Sequence, residues 1–156
     1  MISPELLRRY PFFGLLTETQ LKALAMISEE ESIKSGSVIF SEREPAVRLY
    51  FLKDGSIDLT TSSAPEFSTQ PPKVFDAGEI NPGEIFGISA LIEPYVYTAT
   101  ATAAKDCCVI AMNAQVLRGM MELDCMLGYT LMKQVARACL ERLTSARVQL
   151  AAAWAK

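Results

Sequence analysis

Histidine is absent from this chain of 156 residues, and with it go the commonest catalytic base and the commonest metal ligand. Histidine-based catalysis is excluded, and so is a small barrel of the kind that builds its metal site on histidines. Cysteines are few: Cys107, Cys108, Cys125 and Cys139 show no Cys-x-x-Cys spacing. The adjacent pair would project to opposite faces of a strand, which fits reduced thiols in a cytoplasmic protein. Long apolar runs are missing, and charges interrupt Met1–Arg9 where a signal peptide would carry its apolar core. Neither export nor a membrane span is expected. A net charge of −3 and a pI near 5.1 give no overall attraction to nucleic acid or anionic lipid. The sharpest absence is local, because no Lys or Arg stands between Lys73 and Lys105.

Half of the residues are hydrophobic, enough for one core, so a single domain over 1–156 is expected. At Ser3-Pro4-Glu5, Ser suits a cap, Pro the first helical position and Glu the positive helix end. Thr17 and Gln20 have capping-box spacing before an apolar face of Leu21, Leu24, Ala25 and Met26 or Ile27. These helices occupy 1–28. From Glu30 the period shortens to that of strands, punctuated by Ser35-Gly36, Glu44-Pro45 and Asp54-Gly55. Asp54-Gly55 marks a hairpin, with Ile57 and Leu59 inward and Asp58 toward water. Thr61–Lys73 is polar and proline-rich and reads as a long mobile loop. Strands resume at Val74-Phe75, over Thr98–Ala104, where alternating Ala marks a crowded interior or a cavity wall, and at Cys107–Met112. The strands thus fill 30–112.

The remainder, 113–156, has helical periodicity, with a short segment to about Leu123 and a long helix over Asp124–Ala153. Met132, Ala136, Cys139, Leu143, Ala146 and Leu150 alternate four and three apart and form one stripe suited to a partner helix. A second stripe, Leu127, Leu131 and Val135, suits the barrel. About 30 residues at about 1.5 Å each span roughly 45 Å, more than a small barrel covers. The expected partner is a second copy of the chain, with a protein partner also open. The fold class is α+β: an antiparallel β-barrel or jelly roll (double-stranded β-helix) with N-terminal helices and a long C-terminal helix.

Several motifs then occur in a particular order: Pro11-Phe-Phe-Gly-Leu-Leu16, Gly36-Ser-Val-Ile-Phe40, Leu49-Tyr-Phe-Leu-Lys-Asp-Gly55, Pro82-Gly-Glu-Ile-Phe-Gly87 and Ala90-Leu-Ile92. With the long terminal helix, the chain resembles over almost its whole length the cyclic-nucleotide-binding domain of catabolite-activator-type regulators and kinase regulatory subunits. In that family a cassette of Phe-Gly-Glu-apolar-Ala-Leu is followed by an Arg and small residues, Glu holding the ribose hydroxyl and Arg the cyclic phosphate. Here Phe86, Gly87, Ala90 and Leu91 coincide without gaps, but Ile88 stands at the Glu position and Tyr97 at the Arg position, with Thr98 at the small polar one. Arg43 replaces a turn glycine.

The resemblance therefore implies a retained scaffold with altered recognition, its pocket formed by Phe86, Gly87, Ile88, Ser89, Ala90, Tyr97 and Thr98. A non-enzymatic regulatory or interaction module is expected, without cofactor or metal, that does not bind cAMP or cGMP in the family manner. The alternative is a true cAMP or cGMP sensor using backbone amides of Gly87, Ile88 and Ser89 and a remote cation such as Arg43 or Arg48. A related alternative is the sensor half of a transcription regulator. No helix-turn-helix segment follows the long helix, so no direct binding of nucleic acid is expected.

Overall fold

The computed structural model describes residues 1–63, 71 and 73–155. Helix α1 (Pro4–Arg8) starts where Ser3 accepts a hydrogen bond from the Glu5 N–H at 3.2 Å. A 3₁₀ turn at Pro11–Phe13 leads to α2 (Glu18–Ile27), which carries both bonds of the Thr17/Gln20 capping box. Leu21, Leu24 and Ala25 are buried, and Ile27 rather than Met26 completes the face.

Eight strands follow: β1 (Ser28–Ile33), β2 (Val38–Phe40), β3 (Arg48–Asp54), β4 (Ile57–Ser63), β5 (Lys73–Ile80), β6 (Ile85–Phe86), β7 (Thr100–Ala103) and β8 (Cys107–Asn113). They form two four-stranded antiparallel sheets, ordered β1-β8-β3-β6 and β2-β7-β4-β5. This is the expected jelly-roll arrangement, with helices at both chain ends. Strand β1 begins at Ser28, without the gap expected between helix and strand, because the Ser28 hydroxyl donates to the Leu24 carbonyl at 2.6 Å and ends the helix. The two ends of the loop expected over 61–73 are strand instead: residues 61–63 extend β4 and Lys73 opens β5, their backbones paired through Thr61 with Phe75 and Ser63 with Lys73. β-branched Thr and a polar outer face suit an exposed sheet, which outweighs the polarity that suggested a loop. The rest of that expectation falls on residues 64–70 and 72, outside the described residues.

The sheets differ in what covers them. Leu49, Tyr50, Phe51 and Leu52 are all buried, as are Val109, Ile110, Ala111 and Met112. Successive side chains on a strand face opposite ways, so the two central strands of the first sheet, β3 and β8, are covered on both faces, whereas β1 at its edge is largely exposed. Its outer face meets the N-terminal helical segment through Phe51, whose ring centroid lies 4.7 Å from Tyr10 and 5.1 Å from Phe13. The second sheet alternates instead: Ile57, Leu59, Ala101 and Ala103 are buried while Asp58 is exposed. The small Ala101 and Ala103 of that inner face lie in the closed core.

Helix α3 (Ala114–Leu123) is capped by Asn113, which accepts from the Val116 N–H at 3.0 Å; α4 (Cys125–Trp154) is capped by Asp124, accepting from Leu127 at 3.1 Å. Leu127, Leu131 and Val135 are buried against the rest of the fold, as their stripe predicts.

Candidate functional site

The cassette runs from β6 into a 3₁₀ turn at Ile88–Leu91. Gly87 makes the corner with φ 73°. A Cβ there would meet the Arg48 carbonyl oxygen at 3.2 Å and the Tyr97 ring at 3.3 Å, so close approach and the left-handed backbone both call for glycine. Two arginines from the C-terminal helices bracket this corner. Arg118 of α3 donates to the Ala90 carbonyl at 2.6 Å, and Arg142 of α4 donates through Nη2 to the Ile85 carbonyl.

Tyr97 is 3% exposed. Its ring stacks on Phe40 with centroids 3.7 Å apart. Its hydroxyl donates to the Arg48 carbonyl at 2.7 Å and accepts from the Arg48 N–H at 3.3 Å. Its backbone carbonyl accepts from the N–H of Arg43, which holds the left-handed conformation (φ 74°) at the position of the replaced turn glycine. The phenol is thus a structural bolt between the cassette and β3, with its oxygen turned to backbone.

Burial disfavours the phenolate and pushes the Tyr97 pKa up to about 12, although the Arg48 backbone bond opposes it. An acidic group with a raised folded pKa stabilises the fold fully below its unfolded pKa, near 10, and loses that contribution as pH climbs toward about 12. Alkaline titration followed by tyrosinate absorbance is expected to show a late-ionising tyrosine that disappears in Tyr97→Phe. The same variant forfeits about 1 kcal/mol per hydrogen bond at neutral pH. An unchanged late phase in Tyr97→Phe would remove this assignment.

A cavity of about 290 Å³ opens beside the corner. Gly87, Ile88, Ser89, Tyr97 and Thr98, five of the seven predicted pocket residues, line it. Phe86 and Ala90 do not: both are fully buried, Phe86 stacked on Tyr50 with centroids 5.0 Å apart. Both residues of the two-residue β6 are buried, and Ala90 lies on the buried side of the 3₁₀ turn with Leu91, so these two side chains join the core instead of the cavity. Phe40, Leu59, Ala77 and Ala99 complete the apolar wall, Thr61 adds a hydroxyl, and α4 closes the space with Cys139 and Arg142.

Neither remote arginine suggested by sequence lines this cavity. Arg48 pairs with Glu31 at 2.6 Å, and Arg43 is exposed in its turn. The guanidinium that does line it belongs to Arg142, which sequence reasoning missed. A signal was there, since Arg142 lies seven residues after Val135 and so prolongs the buried stripe of α4 with a charge. Burial pulls its pKa down and nearby Glu84 raises it. Its Nε is buried without a hydrogen-bond partner among the described residues.

The predicted seam of α4 divides. Met132 and Cys139 are half-buried in clefts against other parts of the same chain, while Ala136, Leu143, Ala146 and Leu150 are exposed, Ala146 at the edge of a further cleft. Among the described residues no cluster of His, Cys, Asp and Glu is placed to hold a metal, and no helix is long and apolar enough to cross a membrane.

Comparison with solved structures places the chain beside a provisionally named cyclic nucleotide-binding protein from Geobacter metallireducens GS-15, 45% identical, covering 92% of this chain and 99% of that one with a TM-score of 0.80. The N-terminal domain of a transcriptional regulator from Streptomyces coelicolor A3(2) is 26% identical over 87% of this chain and 93% of its own, with a TM-score of 0.64. The regulatory domain of Toxoplasma gondii PKA, crystallised with cAMP, shares the fold at 21% identity and a TM-score of 0.69, covering 86% of this chain and 48% of its own. No curated protein matches the sequence. Residues 30–124 match the cyclic nucleotide-binding domain family. With the two-sheet fold, the glycine corner and this match, the chain belongs to the cyclic nucleotide-binding domain family.

Proposed function

We propose that this regulatory domain senses a ligand other than cAMP or cGMP held in the family manner, and passes pocket occupancy to its C-terminal helices. The observation that carries the reading is the chemistry at the two cassette positions. Ile88 offers no acceptor for a ribose hydroxyl, and the Tyr97 hydroxyl is spent on the Arg48 backbone. A hydrogen bond to a charged group contributes about 1.5–3 kcal/mol, so two such losses lower affinity by two to four orders of magnitude. The route to the helices runs through Arg118 on Ala90 and Arg142 on Ile85, which tie the cassette to α3 and α4. Calorimetry with cAMP and cGMP is expected to give no saturable heat at sub-millimolar concentration. A micromolar isotherm overturns the reading and favours a cyclic-nucleotide sensor with an atypical cation.

The output surface in this proposal is α4, paired with α4 of a second copy. Leu143 is 46% exposed and Leu150 59%, with Trp154 83% exposed beyond them, on a helix that continues past the stripe buried by its own domain. Exposed apolar residues repeating on one helix face gain by mutual burial. Light scattering is expected to report a dimer for the wild type and a monomer for Leu143→Glu. A monomeric wild type, or a dimer untouched by the charge, removes the pairing.

A further inference from the structure

We infer that Arg142 is the anion-binding residue of this pocket. Its ligand is a small amphipathic anion, with an apolar or aromatic body against Ile88, Leu59 and the Phe40–Tyr97 ring pair and one oxyanion head at the guanidinium. The inference rests on the reading that the cassette no longer supplies the charge, and it names the ligand class of that same site.

Arg142 is the one cation lining the cavity among the described residues, and no carboxylate lines it. The nearby acids, Glu79, Glu84 and Glu141, line an adjoining cleft that shares Ala77 and Arg142 with this cavity. None of them forms an ion pair with Arg142 among the described residues. The guanidinium is also incompletely satisfied: Nη2 donates to the Ile85 carbonyl, while Nε is buried and unpartnered. An unmet buried donor is unfavourable, and a planar oxyanion receives two parallel N–H bonds from the edge that carries Nε. Carboxylate and phosphoryl heads share this chemistry.

The surrounding wall selects the rest of the molecule. Stacked rings and aliphatic side chains favour a flat apolar body, and Thr61, Ser89 and Thr98 add only neutral hydroxyls. At about 290 Å³ the space lies at the small end of ligand sites. Charge therefore sits on α4 and apolar surface on the cassette, the reverse of a pocket whose cassette holds a phosphate. An anion at the guanidinium would compete with the Ile85 carbonyl, so occupancy acts directly on the link between β6 and α4.

The test is an NMR titration of the full chain with 1-naphthoate, 1-naphthyl phosphate and uncharged 1-naphthamide. It follows the Arg142 Nε–Hε signal with the Gly87 and Ala99 amides. At least one anion is expected to shift all three signals saturably and to bind at least about tenfold more tightly than the amide. That preference should vanish in Arg142→Gln and survive in part in Arg142→Lys. Whichever anion binds better identifies the head group. The inference falls if the amide matches both anions, if Arg142→Gln keeps the preference, or if neither anion saturates by millimolar concentration. Should Arg142→Gln fail to fold, the anion-against-amide comparison and the Nε–Hε shift in the wild type still decide. Cyclic AMP in the same titration separates the two readings. Micromolar binding that survives Arg142→Gln sinks both, whereas binding lost with the arginine removes only the proposal that the pocket rejects cyclic nucleotides.

Discussion

Replacing Phe51 by Ala is expected to cost about 3–5 kcal/mol of stability, a large share of the about 5–15 kcal/mol that holds a typical domain together. Phe51 is 0% exposed at the centre of β3, and its ring faces Tyr10, Phe12 and Phe13 with centroids 4.7, 6.1 and 5.1 Å away. These tilted contacts are the favourable geometry for ring quadrupoles and add to the area buried. The same face carries the N-terminal segment, so the variant is expected to loosen α1 and α2 more than the inter-sheet core, which is served by Tyr50 and Leu52. Urea unfolding gives the magnitude, and hydrogen exchange over residues 1–27 gives the location. Phe75→Ala is the control, since Phe75 lies half exposed on β5 and its loss should stay within about 0.5 kcal/mol. Equal effects of the two substitutions would refute the assignment of Phe51 as the anchor.

Gly55→Ala is the second large effect, with an expected loss of about 2–5 kcal/mol from two separate causes. Gly55 adopts φ 109° in the β3–β4 hairpin, and left-handed backbone costs a residue with a Cβ about 1–2 kcal/mol. The added methyl would also lie 2.5 Å from Cys107 Sγ and 2.8 Å from the Asp106 carbonyl oxygen. Cys107 opens β8, the strand between β1 and β3, and overpacking such a place costs about 1–3 kcal/mol. Gly36→Ala separates the two contributions, because Gly36 has φ 84° but open space around it. Thermal or denaturant unfolding should show Gly55→Ala as clearly the worse of the pair. Matching losses would mean that the contact with β8 is relieved without consequence.

Much of the architecture was legible because its signals are local. The Ser3 and Thr17 side chains satisfy helix ends two and three residues away, and Asp54-Gly55 specifies its hairpin through backbone conformation alone. The cassette was legible for the same reason, as Gly87 marks its own corner. What failed depended on neighbours distant in sequence. Thr61–Ser63 and Lys73 pair with each other across the hairpin, and that pairing overrides their loop-like composition. Phe86 and Ala90 fit the motif yet turn into the core, because motif membership does not state which way a side chain faces. The role of Arg142 arises from α4 lying across residues more than fifty positions earlier in the chain.

The order of elements, the family cassette and the absence of any Lys or Arg between Lys73 and Lys105 are legible in the chain alone. Those follow from residue identity, periodicity and turn chemistry. That the Tyr97 hydroxyl is consumed by Arg48 and that a guanidinium from α4 borders the cavity emerges from the packed fold. Orientation and burial of a side chain are set by packing between remote segments, and a linear pattern carries no record of that distance.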